Sequence, residues 1–209
     1  MHHDIDILSE LFDSPVKVKA LKFFLRNPHE AFSLKDGARR LRVSSADLLR
    51  QIKKFSAINL LHQRTTRTVK RIGRRRHTKK DIVYHANPHF AFFNELRSLV
   101  LKSSPTAWDK KIDAMKKLGR VKLAVIAGHL LNDEKARLDI LIVGDKVHPK
   151  SIAAFMRALE ADVGKELRYA LLSLQEFVYR YGMYDNFLRD VFERPHKKLI
   201  NKMKNVVGD

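Results

Sequence analysis

The segment Arg64–Lys80 holds nine lysine and arginine residues and no acidic residue. Leu60–Lys70, which contains several threonines and a valine, predicts a β-strand, and Asp81–Ala86 predicts its return strand, with Gly73 as the turn residue. Cations at this density on a hairpin tip repel one another unless an anion neutralises them, which phosphate does with release of counterions. The segment therefore predicts an exposed hairpin that binds a polyanion. A solvated charge run and a nuclear-localisation signal are the alternatives, and neither explains why the cations fall on a hairpin.

Three helices are predicted upstream of this hairpin. Apolar residues recur at helical spacing across Pro15–Arg26, and Ser33 supplies the N-cap of a short helix that ends at Leu41. A third helix, capped by Ser44–Ser45, runs to about Asn59. Its predicted inward residues are Leu48, Ile52, Phe55 and Ile58. A short helix, a tight turn and a second capped helix form the helix-turn-helix pattern.

The outer face of the third helix is the predicted contact surface for double-stranded DNA. In a helix-turn-helix this face enters the major groove, where Arg50 and Gln51 are able to form bidentate contacts with guanine and adenine edges. Ser44 and Ser45, at the positive end of the helix, suit phosphate. The predicted DNA-contacting residues of the helix and the hairpin are Ser44, Ser45, Asp47, Arg50, Gln51, Lys53, Lys54, Arg67, Lys70, Arg71, Arg74, Arg75, Arg76, Lys79 and Lys80.

The region from about Leu11 to Leu101 resembles the winged helix-turn-helix family of prokaryotic repressors of the arsenical-repressor type. The resemblance depends on Phe32–Ser44, on the helix end Ile58–Leu61 and on the basic hairpin, which would be the wing. Metal-sensing members of the family need cysteine or clustered histidine and aspartate, whereas this chain contains no cysteine. The resemblance thus implies a DNA-binding domain without a metal site, and we predict no cofactor.

After the hairpin, the segment Phe90–Leu101 predicts a helix with one apolar side. The apolar residues on that side are Phe92, Phe93, Leu96 and Val100. A stripe of this kind packs in a core or in a dimer interface. Because helix-turn-helix proteins usually bind paired half-sites, we predict a homodimer with this stripe as the candidate interface and the second domain as the alternative.

The chain divides near residue 104. Residues 1–104 carry 22 Lys and Arg against 9 Asp and Glu, a net charge of +13, and residues 105–209 carry 20 against 14, a net charge of +6. The segment Lys102–Thr106 is the only cluster of serine and proline and predicts a short linker. Beyond it, predicted strands and helices alternate, which is typical of an α/β domain.

This second half resembles the minimal nucleotidyltransferase fold of the DNA polymerase beta superfamily. In active members one strand ends in Gly-Ser, the next carries Asp-x-Asp and a third acid follows on a later strand, so that the acids hold the metal ions of phosphoryl transfer. The corresponding positions here are Gly128–His129, Arg137–Asp139 and a predicted strand Glu166–Leu172 with Arg168 near its centre. Only Asp139 matches the acid pattern, so the resemblance implies an inactive domain. The residues of a degenerate nucleotide pocket would be Gly128, His129, Arg137 and Asp139.

The predicted fold class is α+β, with an N-terminal winged helix-turn-helix domain (1–104) and a C-terminal α/β nucleotidyltransferase-like domain (105–209). The predicted function is that of a prokaryotic transcriptional regulator, not an enzyme, whose second domain pairs subunits or senses a nucleotide or another small effector. An active nucleotidyltransferase, an RNA-binding or ribosome-associated factor and an antitoxin-like module are the alternatives. The N-terminus does not resemble a signal peptide, and the longest apolar stretches are too short to span a bilayer. We therefore expect a cytoplasmic protein without membrane contact.

Overall fold

The computed structural model describes residues 7–72, 75–102, 108–131, 133 and 135–208, and it describes the side chains of these residues except 68–79, 102, 109 and 110. The chain divides into two compact units. Unit 1 is Met1–Ser103 with Glu160–Lys165, and unit 2 is Ser104–Leu159 with Glu166–Asp209. The predicted ranges did not anticipate that residues 160–165 group with unit 1. Each unit combines helices with a β-sheet, so the protein is of mixed α and β structure.

Unit 1 contains a three-stranded antiparallel sheet in the order β1-β3-β2. Its elements are α1 (Ile7–Leu11), α2 (Pro15–Arg26), β1 (Phe32–Ser33), α3 (Leu34–Leu41), α4 (Ser45–Ala57), β2 (Leu61–Ile72), β3 (Arg75–Ala86) and α5 (Phe93–Lys102). Strand β3 begins six residues earlier than the predicted return strand, because pairing with β2 continues into the basic segment. Strand β1, which the sequence pattern did not predict, pairs only Phe32 with Tyr84 and Ser33 with Val83.

The helices of unit 1 begin where serine side chains cap them. Ser14 Oγ accepts a hydrogen bond from the main-chain N–H of Lys17 at 3.2 Å, and Pro15 occupies the first turn, where its missing N–H costs nothing. Ser33 Oγ accepts in the same way from Asp36 at 3.1 Å. These caps satisfy main-chain donors that have no partner within the helix, and they fix the first residue of α2 and of α3.

The core of unit 1 forms around α2. Phe23 and Leu25 are fully buried, and the ring centroids of Phe23 and Phe32 lie 4.3 Å apart. Burial of one such side chain stabilises the fold by about 1.5–3 kcal/mol. Helix α5 adds Phe93 and Val100 to this same core. Of the two roles predicted for the stripe, core packing therefore applies to Phe93 and Val100, and Leu96 packs against the same core. Only Phe92 of the four residues is exposed, so the stripe as a whole does not form a surface.

Unit 2 contains a four-stranded mixed sheet in the order β6-β5-β4-β7. Its elements are α6 (Trp108–Lys116), β4 (Arg120–Ile126), a 3₁₀ helix (Gly128–Leu131), β5 (Ile140–Asp145), α7 (Pro149–Val163), β6 (Tyr169–Leu172), α8 (Leu174–Gly182), α9 (Asn186–Glu193), β7 (Lys197–Asn201) and α10 (Lys204–Val207). The predicted strand 166–172 is shorter in the structure, and β7 and α10 were not predicted.

Strands β4 and β5 are antiparallel, and β5 and β6 are parallel. Leu123 on β4 and Leu141 on β5 are fully buried in one core cluster with Phe177 of α8. In the part of the chain that the structure describes, no helix has both the length and the apolar composition needed to cross a membrane.

Candidate nucleic-acid interface and an ionic cluster in unit 2

A short turn separates α3 from α4. Arg42 adopts a left-handed conformation with φ of 55°, and its main-chain N–H donates to the carbonyl of Arg39 at 3.3 Å. Two residues later, Ser44 Oγ accepts from the main-chain N–H of Asp47 at 3.0 Å and caps α4. The carboxylate of Asp47 lies in the first turn of α4, where the helix dipole favours a negative charge. Local interactions therefore fix the start and direction of α4.

The outer face of α4 is cationic. Arg50 has 66% of its side-chain surface exposed, and Lys53 and Lys54 are also exposed. Asp47 Oδ1 lies 3.4 Å from Arg50 Nη1, and Asp47 Oδ2 accepts from Ser44 Oγ at 2.7 Å. An exposed ion pair contributes little to stability. The guanidinium of Arg50 is therefore able to exchange Asp47 for another acceptor at little cost.

Gln51 does not lie on this face. Only 6% of the residue is exposed, and its Oε1 has no hydrogen-bond partner among the residues that the structure describes. The prediction of an outward-facing Gln51 is wrong, because the buried stripe of α4 follows the spacing of Leu48, Gln51, Ile52 and Phe55, which covers one helix face. Ile58, predicted to face inward, is exposed because α4 ends at Ala57.

The hairpin of β2 and β3 continues the chain directly from α4. Asn59 adopts a left-handed conformation with φ of 60°, and the main-chain N–H of Leu60 donates to the carbonyl of Phe55 at 2.9 Å. These contacts close the helix in the manner of a C-terminal cap, and β2 starts one residue later. The cationic helix face and the basic hairpin thus belong to one unit and are joined by a tight connection.

The register of the hairpin places cationic residues opposite one another. Arg67 pairs with Lys80 and Arg71 with Arg76, and the side chains of Arg67 and Lys80 are exposed. Like charges directly opposite in an antiparallel pair are destabilising, and an anion between them relieves the repulsion. The turn at Gly73 and the residue Arg74 lie outside the described residues. So do the predicted contact side chains of Lys70, Arg71, Arg75, Arg76 and Lys79.

A second group of polar residues lies at the strand ends of unit 2. Asp139 directly precedes β5 and Arg168 directly precedes β6, and these parallel strands pair Ile140 with Tyr169. The register therefore brings Asp139 beside Arg168. At the end of β4 the chain turns into the 3₁₀ helix, where the main-chain N–H of His129 donates to Asp139 Oδ1 at 2.7 Å.

Asp139 is fully buried, and both of its oxygens accept hydrogen bonds. Oδ1 lies 2.8 Å from His129 Nδ1 and 3.2 Å from Arg168 Nη2, and Oδ2 lies 2.8 Å from the main-chain nitrogen and 3.1 Å from Nε of Arg168. Burial favours the neutral acid, but the hydrogen bonds from His129 and Arg168 outweigh it and hold the pKa of Asp139 well below its ordinary value. Asp139 is therefore a carboxylate whose charge is satisfied within the protein.

Gly128 allows this arrangement. Its φ of 54° is left-handed, and a Cβ at this position would collide with Asp139 Oδ1 and lie 2.6 Å from the carbonyl oxygen of Leu138. Only glycine has both the backbone freedom and the space for so close an approach. The main-chain N–H of Ala127 also donates to the carbonyl of Asp139 at 2.9 Å, so the end of β4 and the start of β5 are held together.

Of the predicted nucleotide-pocket residues, the structure brings Gly128, His129 and Asp139 together, whereas Arg137 is exposed and its main-chain N–H donates to Asp190 Oδ2 at 3.4 Å. Arg168 is the cation that contacts Asp139. The sequence interpretation placed Arg168 on a strand without giving it a role, and the parallel register of β5 and β6 is the signal that identifies it. Among the residues described in the two units, no cluster of three His, Asp or Glu residues has the geometry to hold a metal ion.

Comparisons of the chain with protein-family models, with curated proteins and with solved structures gave no match.

Proposed function

We propose that the protein binds double-stranded DNA through α4 and the β2–β3 hairpin and acts as a prokaryotic transcriptional regulator. The observation that carries the proposal is the outer face of α4, where Arg50, Lys53 and Lys54 are exposed beside the start of a hairpin that holds nine cations. In this proposal unit 1 works as a winged helix-turn-helix, with α4 as the recognition helix and the hairpin as the wing.

Base recognition falls to Arg50 and Lys53 in this proposal. Arginine and lysine are the side chains that most often contact guanine O6 and N7 in the major groove. Gln51 is no longer among the proposed base-contacting residues, because a side chain that is buried in the free protein does not reach a base edge. Ser45 at the start of α4 and Lys54 further along it remain candidates for phosphate contacts, which position a protein without reading sequence.

The shape of the interface favours duplex DNA over RNA. The major groove of B-DNA admits an α-helix, whereas the deep and narrow major groove of A-form RNA does not. A 13-residue helix with its cations on the outer face suits the first of these grooves. The ring-stacking surfaces that bind single strands depend on exposed aromatic residues, and the exposed side chains of α4 named above are cations.

For unit 2 we propose a role other than nucleotidyl transfer. Asp139 is the one acid that matches the pattern of active nucleotidyltransferases, and both of its oxygens are engaged by His129 and Arg168. Magnesium needs carboxylate oxygens at short distance, so its binding here would require Arg168 to leave. Pairing of subunits stays a prediction. Phe92 and Leu99 are exposed and lie seven residues apart at α5, so these two apolar side chains are candidates for a contact between subunits.

The proposal is tested by the salt dependence of duplex binding. We compare wild-type protein with the variant Arg74→Ala, Arg75→Ala, Arg76→Ala and with a charge-matched control, Lys117→Ala, Lys150→Ala, Lys202→Ala, whose lysines are exposed in unit 2. Because each phosphate contact releases counterions, the hairpin variant should bind every duplex more weakly and reduce the slope of log affinity against log salt by about 2–3. The control should keep the wild-type slope.

Equal slopes for the two variants would remove the hairpin from the interface. A stronger affinity of the wild-type protein for structured RNA than for duplex DNA of the same length would overturn the proposal in favour of the RNA-binding alternative.

A further inference from the structure

Most of the large apolar side chains that unit 2 exposes lie in one region. Among the residues of unit 2 that the structure describes, six such side chains are exposed, and five of them belong to α8, to the turn that follows it and to α10. These five are Val178, Tyr179, Met183, Tyr184 and Val206. Val178 and Val206 line the same groove, so the region continues from α8 to α10. A contiguous apolar patch is typical of a surface that binds a partner.

Helix α8 has apolar side chains on two opposite faces. Phe177 is fully buried in the core of unit 2, whereas Tyr179, two residues further along, lies on the opposite face and is 67% exposed. Met183 follows Tyr179 by four residues in the turn that ends the helix, so the two exposed side chains are neighbours. A helix that is apolar all round is normally buried all round. The outer face of α8 is therefore suited to burial against a second helix.

The charged residues of α8, Glu176 and Arg180, neutralise each other. Arg180 Nη2 lies 2.8 Å from Glu176 Oε1, and both side chains are 41% exposed. The outer face of α8 therefore carries no net charge, in a chain whose formal net charge is +19. Like charges brought together across an interface oppose binding, so a neutral face is where two copies of so cationic a chain are able to meet.

We propose that α8 is the interface of a homodimer, in which the two copies of the helix pack antiparallel across a two-fold axis close to Tyr179. An antiparallel pair reverses the order of Glu176 and Arg180, while the two-fold axis keeps both residues on the same edge of the interface. Glu176 of each copy then lies beside Arg180 of the other, so the face is complementary to itself, as a two-fold interface requires. A parallel pair would place Glu176 against Glu176 and Arg180 against Arg180, which is unfavourable.

The test measures the dimer dissociation constant of the full chain by analytical ultracentrifugation, without DNA. An interface centred on one helix is small, so we expect the wild-type dimer at protein concentrations of about 10–100 μM. Tyr179→Ala removes the ring at the axis from both copies and should weaken the dimer about 10- to 100-fold. Glu176→Arg and Arg180→Glu each convert two favourable contacts of the dimer into like-charge contacts, and each should weaken it about 10-fold or more.

The sharpest measurement is an equimolar mixture of the two charge variants. Each copy then supplies the charge that the other has lost, so the mixture should form a heterodimer, and the double variant Glu176→Arg, Arg180→Glu should dimerise like wild type. A copy that fails to fold is not rescued by mixing. Arg189→Glu and Glu193→Arg are the matched controls, because these residues form an exposed pair four residues apart on α9, at 3.0 Å, and neither change should alter the dissociation constant.

A wild-type protein that stays monomeric at about 100 μM would overturn the proposal and leave the outer face of α8 to a different partner. Recovery in the double variant but not in the mixture would overturn it as well, because the two charges would then act only within their own helix. A dimer unaffected by either charge variant would place the interface elsewhere, with α5 as the alternative. Because the samples contain no DNA, none of these outcomes depends on the DNA binding proposed for unit 1.

Discussion

The main-chain N–H and the guanidinium Nε of Arg168 both donate to Oδ2 of Asp139, at 2.8 and 3.1 Å. One residue thus binds a single carboxylate oxygen through its backbone and its side chain, and Asp139 tethers the start of β6 to the start of β5 in doing so. The acid that the sequence interpretation assigned to a degenerate nucleotide pocket is a structural anion in the free protein.

Replacement of Asp139 by asparagine should destabilise unit 2. The amide has one acceptor oxygen where the carboxylate has two, and its NH₂ group would face donors from His129 and Arg168. Because Arg168 is partly exposed, we expect a loss of about 2–4 kcal/mol, less than for a fully buried pair. Urea unfolding measures the change. Asp113→Asn breaks an exposed pair with Lys116 and serves as the control, in which we expect no measurable loss.

The stabilisation that Asp139 provides should depend on pH only at acidic pH. The pKa of Asp139 is lowered in the folded protein, so its contribution is fully present above the unfolded value of about 4 and decreases as the pH falls below it towards the folded value. The difference in unfolding free energy between wild type and Asp139→Asn should therefore be constant from about pH 8 to pH 5 and shrink below about pH 4. A difference that instead changes near neutral pH would assign the dependence to another group.

Gly128→Ala should destabilise the protein although it adds only one methyl group. The new Cβ meets Asp139 Oδ1 and the carbonyl oxygen of Leu138, and the left-handed backbone adds strain. Together these effects predict a loss of about 2–4 kcal/mol. Gly182→Ala is the matched control, because no atom outside its neighbours lies within 4 Å of a Cβ built there. A thermal-denaturation midpoint of Gly128→Ala equal to that of Gly182→Ala would contradict the close contact.

Arg50→Ala should reduce sequence preference more than overall affinity. If Arg50 contacts a base edge, its loss should cost about 1–3 kcal/mol on the preferred duplex and much less on random DNA. Arg157→Ala, in α7, removes the same charge from an exposed position and is the control. The affinity of each variant is measured for a preferred duplex, selected from a random library, and for random DNA of the same length. Equal losses on preferred and random DNA would mean that Arg50 contacts phosphate only.

Gln51→Leu should leave DNA binding unchanged and raise stability. A buried oxygen without a hydrogen-bond partner costs about 1–3 kcal/mol, and leucine of similar size removes that cost. The measurements are urea unfolding and duplex affinity, with Gln63→Leu as the control at an exposed glutamine. Loss of base preference in Gln51→Leu would show that the side chain leaves the core when DNA binds, and Gln51 would again be a base-contacting residue.

Helices α2 and α3 of unit 1 could be predicted from the sequence, because signals within a few residues determine where they begin and end. The apolar period gave α2 and the Ser33 cap gave α3, each with its observed ends. Strand β1 escaped prediction because two residues carry no period, and only pairing with Tyr84 and Val83 makes them a strand. Gln51 was misplaced because its polarity outweighed its position on the buried face, although the spacing with Leu48 and Phe55 was visible in the sequence.

The ionic cluster depends on contacts between residues that are distant in the sequence. Gly128, His129 and Asp139 were selected together because they stand at the Gly-Ser and Asp-x-Asp positions of the family that unit 2 resembles. Arg168 is 29 residues beyond Asp139, and only the parallel register of β5 and β6 brings it to the carboxylate. A charge opposite an acid at the start of a neighbouring parallel strand is the sequence signal that would have identified it.

The placement of β7 has a consequence for how the chain matures on the ribosome. β4 is an inner strand whose two neighbours are β5, which follows soon after it, and β7, whose residue Asn201 pairs with Leu123. While residues 127–196 are being synthesised, one edge of β4, whose residues from Leu123 to Ile126 are buried in the folded protein, has no partner. Unpaired edges of this kind recruit other strands. Nascent chains that stall before Lys197 should therefore be the species that aggregates. When β7 is added, it completes the sheet, and its two lysines place positive charge on the new edge strand.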